Sequence, residues 1–297
     1  MKHSLKITLI LITMFVFAQL IGILVIHQYS PQTSQISLNG TSTNVTSYNL
    51  PYGFEPPEQD ASTNIISIII SFALAITLLL ILMKYIVELF LKLWFGAVII
   101  LALSTTIFSF LKPIQYASLI ALIIALPLAY LKIIKRNIIV HNVTELLIYP
   151  GIAAIFVPLL NLTTCVILLI LISIYDIYAV WHAKFMQKMA KYQMSKLKIF
   201  SGFLIPYIQK TELTKLKNKK KVKLTVAILG GGDVVFPIIL SGVMLNFYGL
   251  IPALLVTLGA TLSLFALFMF SEKGKFYPAM PFITAGCFVG LILGFLL

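Results

Sequence analysis

The chain has 297 residues, of which 60% are hydrophobic and only 10% are charged, and its mean hydropathy is +1.03. A soluble domain is about half apolar and about a quarter charged, so this composition excludes a water-soluble globular protein and indicates lipid as the solvent. The net charge of +13 does not indicate a nucleic-acid partner, because the basic residues lie in short runs between long apolar stretches. Such runs are typical of topology signals and of contacts with anionic lipid.

Nine stretches of the sequence are long and apolar enough to cross a bilayer, which takes about 20 residues. They are 5–26, 64–83, 91–111, 114–131, 138–159, 163–183, 223–246, 249–270 and 278–297. The first is interpreted as a spanning helix rather than a signal peptide, because no small-x-small cleavage site follows its long apolar run. The sequence therefore predicts an all-α polytopic membrane protein with nine transmembrane helices.

The distribution of Lys and Arg predicts the orientation of these helices. With the N-terminus inside and the C-terminus outside, 21 of the 22 basic residues lie on the inner side, and only Lys112 lies outside. The reverse orientation contradicts the positive-inside rule. We therefore predict a multi-pass protein of the cell membrane with its N-terminus inside and its C-terminus outside.

Two long connections interrupt the predicted spans. The outer segment 27–62 is rich in Ser, Thr, Asn and Pro and is expected to be loosely ordered. The inner segment 184–222 surrounds an apolar patch at 199–208 with lysines, which predicts a segment in the headgroup region beside anionic lipid. A regulatory or self-cleaved segment is the alternative. This lysine-rich loop separates a six-helix group, 1–183, from a three-helix group, 223–297, within one integrated membrane domain.

Three of the nine acidic residues fall inside predicted spans: Glu145, Asp176 and Asp233. A carboxylate in the bilayer is unfavourable by at least about 2.5–3.5 kcal/mol, so each of them is a candidate functional residue. Glu145 follows His141 and Asn142 near the inner end of its span. We expect Glu145 to have a structural role at the membrane interface.

Asp176 and Asp233 are predicted to lie at similar depth. Asp176 comes eight residues before Lys184, and Asp233 comes ten residues after Lys223. At the helical rise these positions are roughly 12 Å and roughly 15 Å from the inner basic boundary. Two facing carboxyls do not easily both ionise, which is the arrangement by which aspartic proteases activate water. The alternative interpretation is a proton-coupled or cation-coupled transporter, or a leak channel, that uses the same buried acids.

The residues around the two acids favour an unusual backbone. Three glycines precede Asp233 in the motif 230–233, which allows a close approach of backbone or substrate and non-helical geometry. Close packing of helices through small residues is the alternative. Tyr175 is next to Asp176 and can supply a hydrogen bond. The sequence Pro-Ala-Met-Pro at 278–281 prevents a regular helix and leaves backbone groups free to pair with an extended substrate, although proline in the first turn of a helix is also common.

These three motifs, in this order, resemble those of the presenilin and signal peptide peptidase family of GxGD intramembrane aspartyl proteases. They are Tyr-Asp at 175–176, Gly-Gly-Gly-Asp at 230–233 and Pro-Ala-Met at 278–280, on the sixth, seventh and ninth predicted spans. The resemblance implies that Asp176 and Asp233 are the catalytic pair and that substrate-positioning residues surround them. These positioning residues are Tyr175, Gly230, Gly232, Pro278, Ala279 and Met280.

The resemblance is strongest to the presenilin branch, on orientation and on the form of the motifs. The family pattern has Leu where this chain has Met280, a swap of similar volume. The resemblance implies a microbial, archaeal-type enzyme that cleaves transmembrane protein substrates without accessory subunits. It implies no cofactor. The residues also predict no metal site, because the four His residues are scattered along the chain.

Overall fold

The structure is a computed structural model that describes residues 5–38, 41–47, 88–135, 137–181, 200–207, 225–272 and 277–297, with four pairs of helical positions at 66–67, 70–71, 73–74 and 77–78. The helices are α1 (Leu5–Gln28), α2 (Glu88–Leu111), α3 (Ala117–Tyr130), α4 (Ile138–Phe156), α5 (Leu162–Trp181), α6 (Gly231–Tyr248), α7 (Leu250–Phe270) and α8 (Met280–Leu296). A π-helical turn, Leu131–Lys135, follows α3, and a 3-10 turn, Val157–Leu159, follows α4. The strands are β1 (Gln32–Leu38), β2 (Thr41–Ser47), β3 (Gly202–Tyr207) and β4 (Thr225–Gly230).

Seven helices of the described residues are long and apolar enough to cross a membrane, and α8 is an apolar helix of 17 residues. This confirms the prediction of a mainly helical polytopic membrane protein. The predicted span 64–83 lies mostly outside the described residues. The count of nine spans and the orientation of the termini therefore remain predictions.

The helices bury small side chains and expose large apolar ones, as expected when lipid is the solvent. Helix α3 buries an alanine at every fourth position from Ala117 to Ala129, whereas Leu119, Ile123 and Leu126 point outward. Lipid tails are as apolar as leucine, so close packing rather than removal from water holds such helices together.

Glycine brings α7 and α8 together along a seam in which backbone touches backbone. A Cβ added at Gly290 would lie 2.2 Å from the carbonyl oxygen of Leu255, and one at Gly259 would lie 2.0 Å from that of Gly286. Nothing larger than hydrogen fits at these positions. The seam therefore fixes α8, and with it the 278–280 loop that precedes the helix.

Helix α6 is the centre of the bundle. It packs against α1, α4, α5, α7 and α8, and Val234, Ile238 and Val243 are fully buried on it. Its first turn carries Asp233. Asp233 is therefore partly buried at the start of this central helix.

Two antiparallel strand pairs depart from the all-helical prediction. Strands β1 and β2 lie in the outer segment that was expected to be loosely ordered, paired from Gln32↔Ser47 to Leu38↔Thr41.

Strands β3 and β4 pair from Gly202↔Gly230 to Tyr207↔Thr225. The apolar patch expected in the headgroup region thus forms a strand, and α6 begins at Gly231, eight residues later than the predicted span. The helical rise used to estimate the depth of Asp233 does not apply before Gly231, because a strand rises about 3.3 Å per residue. Part of the reason lies in β-branched Val226 and Ile228, which suit a strand, and in the glycines, which interrupt helix formation.

Candidate active site

Asp176 connects α5 to the start of α8. The Asp176 side chain is 2% exposed, and its Oδ2 accepts a hydrogen bond from the backbone N–H of Met280 at 3.0 Å. Met280 is the first residue of α8, so this N–H has no partner within its own helix. A carboxylate there also faces the positive end of the helix dipole. The structure therefore joins two predicted site elements, Asp176 and the 278–280 loop, through a direct contact.

A second contact joins α5 and α8 one helical turn away from the first. The hydroxyl of Ser173 donates to that of Thr284 at 2.8 Å, and both side chains are buried. Ser173 precedes Asp176 by three residues and Thr284 follows Met280 by four, so both pairs lie on the facing sides of α5 and α8. The sequence analysis did not single out Ser173 or Thr284.

The 278–280 loop is packed into the protein. Pro278 and Met280 are buried, Ala279 is partly buried, and Pro281 stands in the first turn of α8. The carbonyl of Ala279 accepts from the N–H of Ile283 at 3.1 Å, which starts the helix. The backbone is thus irregular up to Ala279, and an ordinary proline stands at the helix start, whereas pairing of this segment with a substrate stays a prediction.

Asp233 lies at the third position of α6, directly after the strand β4. Gly230 is the N-cap, with extended backbone at φ −64° and ψ 145°. The Asp233 carboxyl turns back toward it: a Cβ added at Gly230 would lie 3.1 Å from Asp233 Oδ2. An acid at this position commonly reaches the backbone at the N-cap, as in a capping box. Pro237 has no N–H to donate to the carbonyl of Asp233, which further loosens this first turn.

The three glycines of the motif have different surroundings. A Cβ at Gly231 would lie 2.6 Å from Ser201 Oγ and 3.0 Å from Tyr149 Cε1, whereas one at Gly232 would meet nothing closer than 3.5 Å. Gly232 is exposed. The motif therefore has a packed side at Gly231 and an open side at Gly232. Gly230 and Gly232 stay the predicted site residues, and the packing of Ser201 and Tyr149 against Gly231, which only the fold reveals, adds Gly231 to them.

The two acids lie on helices that pack against each other, α5 and α6. Tyr175 is half-buried beside Asp176. Asp176 Oδ1 is buried and has no hydrogen-bond partner among the described residues. This oxygen is therefore able to accept a hydrogen bond from a reactant.

Helix α1 also contacts the start of α6. The amide of Gln19 donates from Nε2 to the carbonyl of Val234 at 3.0 Å, and Gln19 is fully buried. An amide side chain within the predicted first span is the sequence signal of this contact. In the described part of the chain, His, Cys, Asp and Glu do not gather in groups of three that could hold a metal ion.

Comparison with known proteins gives one family and a shared fold. The family described as signal-peptide peptidase, presenilin aspartyl protease, matches residues 42–297. A solved structure of a presenilin family intramembrane aspartate protease, in space group C222, has a TM-score of 0.63 at 20% identity, covering 97% of this chain and 98% of that chain. A second, in space group P2, has a TM-score of 0.62 at 19% identity, covering 96% of each. No curated protein sequence matches this chain.

Proposed function

This chain belongs to the signal-peptide peptidase and presenilin family of aspartyl proteases, and on that premise we propose that Asp176 and Asp233 are its catalytic pair. It is an aspartic endopeptidase and a multi-pass integral membrane protein. The observation that carries the proposal is that Asp176 and Asp233 lie on two helices that pack against each other, with the 278–280 loop bonded to Asp176.

The chemistry is hydrolysis of a peptide bond by a carboxyl pair that shares one proton. Two negative charges at short range repel, so one carboxyl remains protonated while the other is ionised. The ionised carboxyl accepts a proton from water as its oxygen attacks the peptide carbonyl carbon, and the protonated carboxyl donates to the carbonyl oxygen. Collapse of this intermediate breaks the C–N bond and delivers a proton to the leaving nitrogen. Asp176 Oδ1 is suited to accept from the attacking water.

The strand β4 offers a place for the substrate backbone. A transmembrane substrate must unwind before cleavage, and in hydrocarbon its freed N–H and C=O groups need new partners. At Gly202 and Leu204 the outer edge of β3 bonds to side chains of α4. Among the described residues β4 pairs with β3 alone, so its outer edge is open at Ile228, and the backbone of Gly230 at the end of this edge bonds to Asp233. An extended substrate added to this edge would bring a peptide carbonyl to the acids.

The remaining features of the proposal come from the sequence. The chain crosses the cell membrane nine times with its N-terminus inside and its C-terminus outside, and the groups 1–183 and 223–297 pack as one membrane domain. The lysine-rich loop 184–222 contacts anionic lipid on the inner side. Transmembrane helices of other proteins are the substrates, and no accessory subunit is required.

Cleavage of a single-pass transmembrane peptide in liposomes tests the catalytic pair. We expect Asp176→Asn and Asp233→Asn each to lower the rate by roughly 10²–10⁴-fold or more, because each removes one partner in proton transfer. Glu58→Gln, which neutralises an acid in the predicted outer segment, is the matched control. Wild-type cleavage by either Asp variant would overturn the assignment. Acid-dependent ion flux without cleavage would favour the transporter alternative.

A further inference from the structure

A second group of ionisable side chains is buried away from the two aspartates. The side chains of Lys132, His141 and Glu145 are 3%, 11% and 1% exposed. Lys132 Nζ lies 2.7 Å from Glu145 Oε1 and 3.2 Å from His141 Nδ1. Lys132 belongs to the π-helical turn after α3, which directs it inward while Lys135 in the same turn remains exposed. The charges expected at the membrane interface thus form a buried group between α3 and α4.

The group contacts the outer edge of β3. His141 Nε2 lies 2.8 Å from the carbonyl oxygen of Gly202, and the N–H of Gly202 donates to Glu145 Oε1 at 3.4 Å. A carbonyl accepts only, so His141 Nε2 carries the proton and Nδ1 accepts from Lys132. This assignment makes His141 neutral and gives each ring nitrogen one partner.

Asn142, the residue after His141, makes the same kind of contact with the next outward-facing residue of β3, Leu204. Its side-chain amide donates to the carbonyl of Leu204 at 2.8 Å, and its Oδ1 accepts from the N–H of Leu204 at 3.0 Å. One amide side chain therefore occupies both backbone groups, as a neighbouring strand would. Pro206, the next outward position of β3, has no N–H. We call Lys132, His141, Asn142 and Glu145 the α4 polar cluster.

The contacts continue from β3 to Asp233. Gly202 is opposite Gly230 and Leu204 is opposite Ile228 in the strand pair. The N–H of Gly231 donates to the carbonyl of Ser201 at 3.3 Å, so the first turn of α6 is bonded to the residue before β3. Any shift of β3 along or away from α4 is transmitted to Gly230 and Gly231, three and two residues before Asp233.

Stability alone is a weak reason for such a cluster. Apolar residues of similar volume commonly stabilise a protein as well as a buried ion pair does, because charges lose their hydration on burial. A set of directed hydrogen bonds, in contrast, fixes one register of β3 on α4. Side chains of α4 occupy the outer hydrogen-bonding groups of β3 at Gly202 and Leu204. A further strand can therefore add only to the outer edge of β4.

We propose that the α4 polar cluster positions Asp233, by holding β3 in register on α4 and through it β4 and the first turn of α6. The inference rests on the proposed function of Asp233. Its members are positioning residues and do not touch the reacting atoms.

Two variants test the proposal, each with its own comparison. Asn142→Leu keeps the volume and removes both bonds to Leu204, and Lys132→Met removes the cation. Lys132→Arg restores the charge and the donors. Thr144→Val is the matched control: it removes a buried hydroxyl from the same helix, one bonded to the carbonyl of His141 and not to β3. Asn142 is only partly buried, so Asn142→Leu serves if Lys132→Met does not fold.

The first measurement is independent of activity. Amide hydrogen exchange of 202–207 and 225–230 should quicken by roughly tenfold or more in Asn142→Leu and Lys132→Met, while exchange of α7 stays the same. The second is kcat per folded molecule, which should fall by roughly tenfold or more in both variants, return toward wild type in Lys132→Arg and be unchanged in Thr144→Val.

Unchanged exchange in the strand pair would overturn the proposal, as would quickened exchange with unchanged kcat. A loss of thermal stability with normal kcat would assign the cluster a structural role only. Failure of the proposed function has a different result, because Asp176→Asn and Asp233→Asn would then retain cleavage whatever the exchange data show.

Discussion

The two acids are held in different ways. Asp176 lies near the end of α5, five residues before Trp181, and is bonded to the N-terminus of α8, which is fixed by the glycine seam with α7. Asp233 lies at the end of a strand, in the first turn of α6, and its position depends on β3, β4 and the α4 polar cluster. The support of Asp176 is a pair of helices with backbone packed on backbone, whereas the support of Asp233 is a short strand pair held by side chains.

The two acids therefore differ in how easily their surroundings can shift. Helices in direct backbone contact have little freedom to shift, since any separation loses many contacts at once. A two-stranded sheet is only marginally stable by itself and takes its position from what it packs on. We therefore expect changes on the Asp176 side to act first on folding and changes on the Asp233 side to act first on catalysis.

The largest expected effect is in the α7–α8 seam. In Gly290→Ala the new Cβ would lie 2.2 Å from a backbone oxygen, so the helices must separate, and the free energy of unfolding should fall by about 1–3 kcal/mol. Gly96→Ala is the matched control, because its Cβ would lie 3.4 Å from Ile133 Cδ1. Unfolding in detergent measures both. Equal stability of the two variants would contradict the account of the seam.

An intermediate effect is expected at the glycines before Asp233. Gly231→Ala should lower kcat by roughly tenfold, about 1.4 kcal/mol, because its Cβ displaces Ser201 or the start of α6. Gly232→Ala should leave thermal stability unchanged, so any loss of cleavage there reports the approach of substrate. If the activity of Gly231→Ala fell only in proportion to the amount of folded protein, the variant would have lost stability and not catalysis. That result would contradict the distinction between a packed Gly231 and an open Gly232.

The smallest effect is expected at the hydroxyl pair of Ser173 and Thr284. A double-mutant cycle with Ser173→Ala and Thr284→Val should give a coupling energy of about 0.6 kcal/mol, the average for such bonds in membranes. Ser241 and Thr257, 3.0 Å apart between α6 and α7, form the matched pair. Both pairs should couple in stability, and the Ser173 pair alone should also lower kcat. An equal change in kcat from both pairs would show that the Ser173–Thr284 bond does not act on catalysis through Asp176.

The sequence predicted the helical elements well where a single signal decided them. Long apolar runs predicted the seven spans found among the described residues, whereas the roles predicted for Asp176 and Asp233 stay predictions. The strand pair β3–β4 was missed because its two halves are 17 residues apart and each reads as part of a loop or a helix by hydropathy. Lys132 and Glu145 were assigned to the interface because their pairing across 13 residues depends on the π-helical turn, which no local pattern indicates.

The contribution of Ser173, Thr284 and Gly231 could not be predicted for a related reason. Each acts through a contact with a distant element, and small or hydroxyl residues in apolar helices are common without such contacts. The 278–280 loop was predicted from its prolines, whereas the bond from Met280 to Asp176 required the fold.

Binding of a transition-state-analogue inhibitor of aspartic proteases tests most directly whether Asp176 and Asp233 form one site. A photoreactive analogue should label the wild-type protein at one site per chain, and labelling should be lost in Asp176→Asn and in Asp233→Asn alike, because the analogue bonds to both carboxyls. Glu58→Gln should be labelled as the wild type is. Undiminished labelling of either Asp variant, with that variant correctly folded, would contradict a shared site.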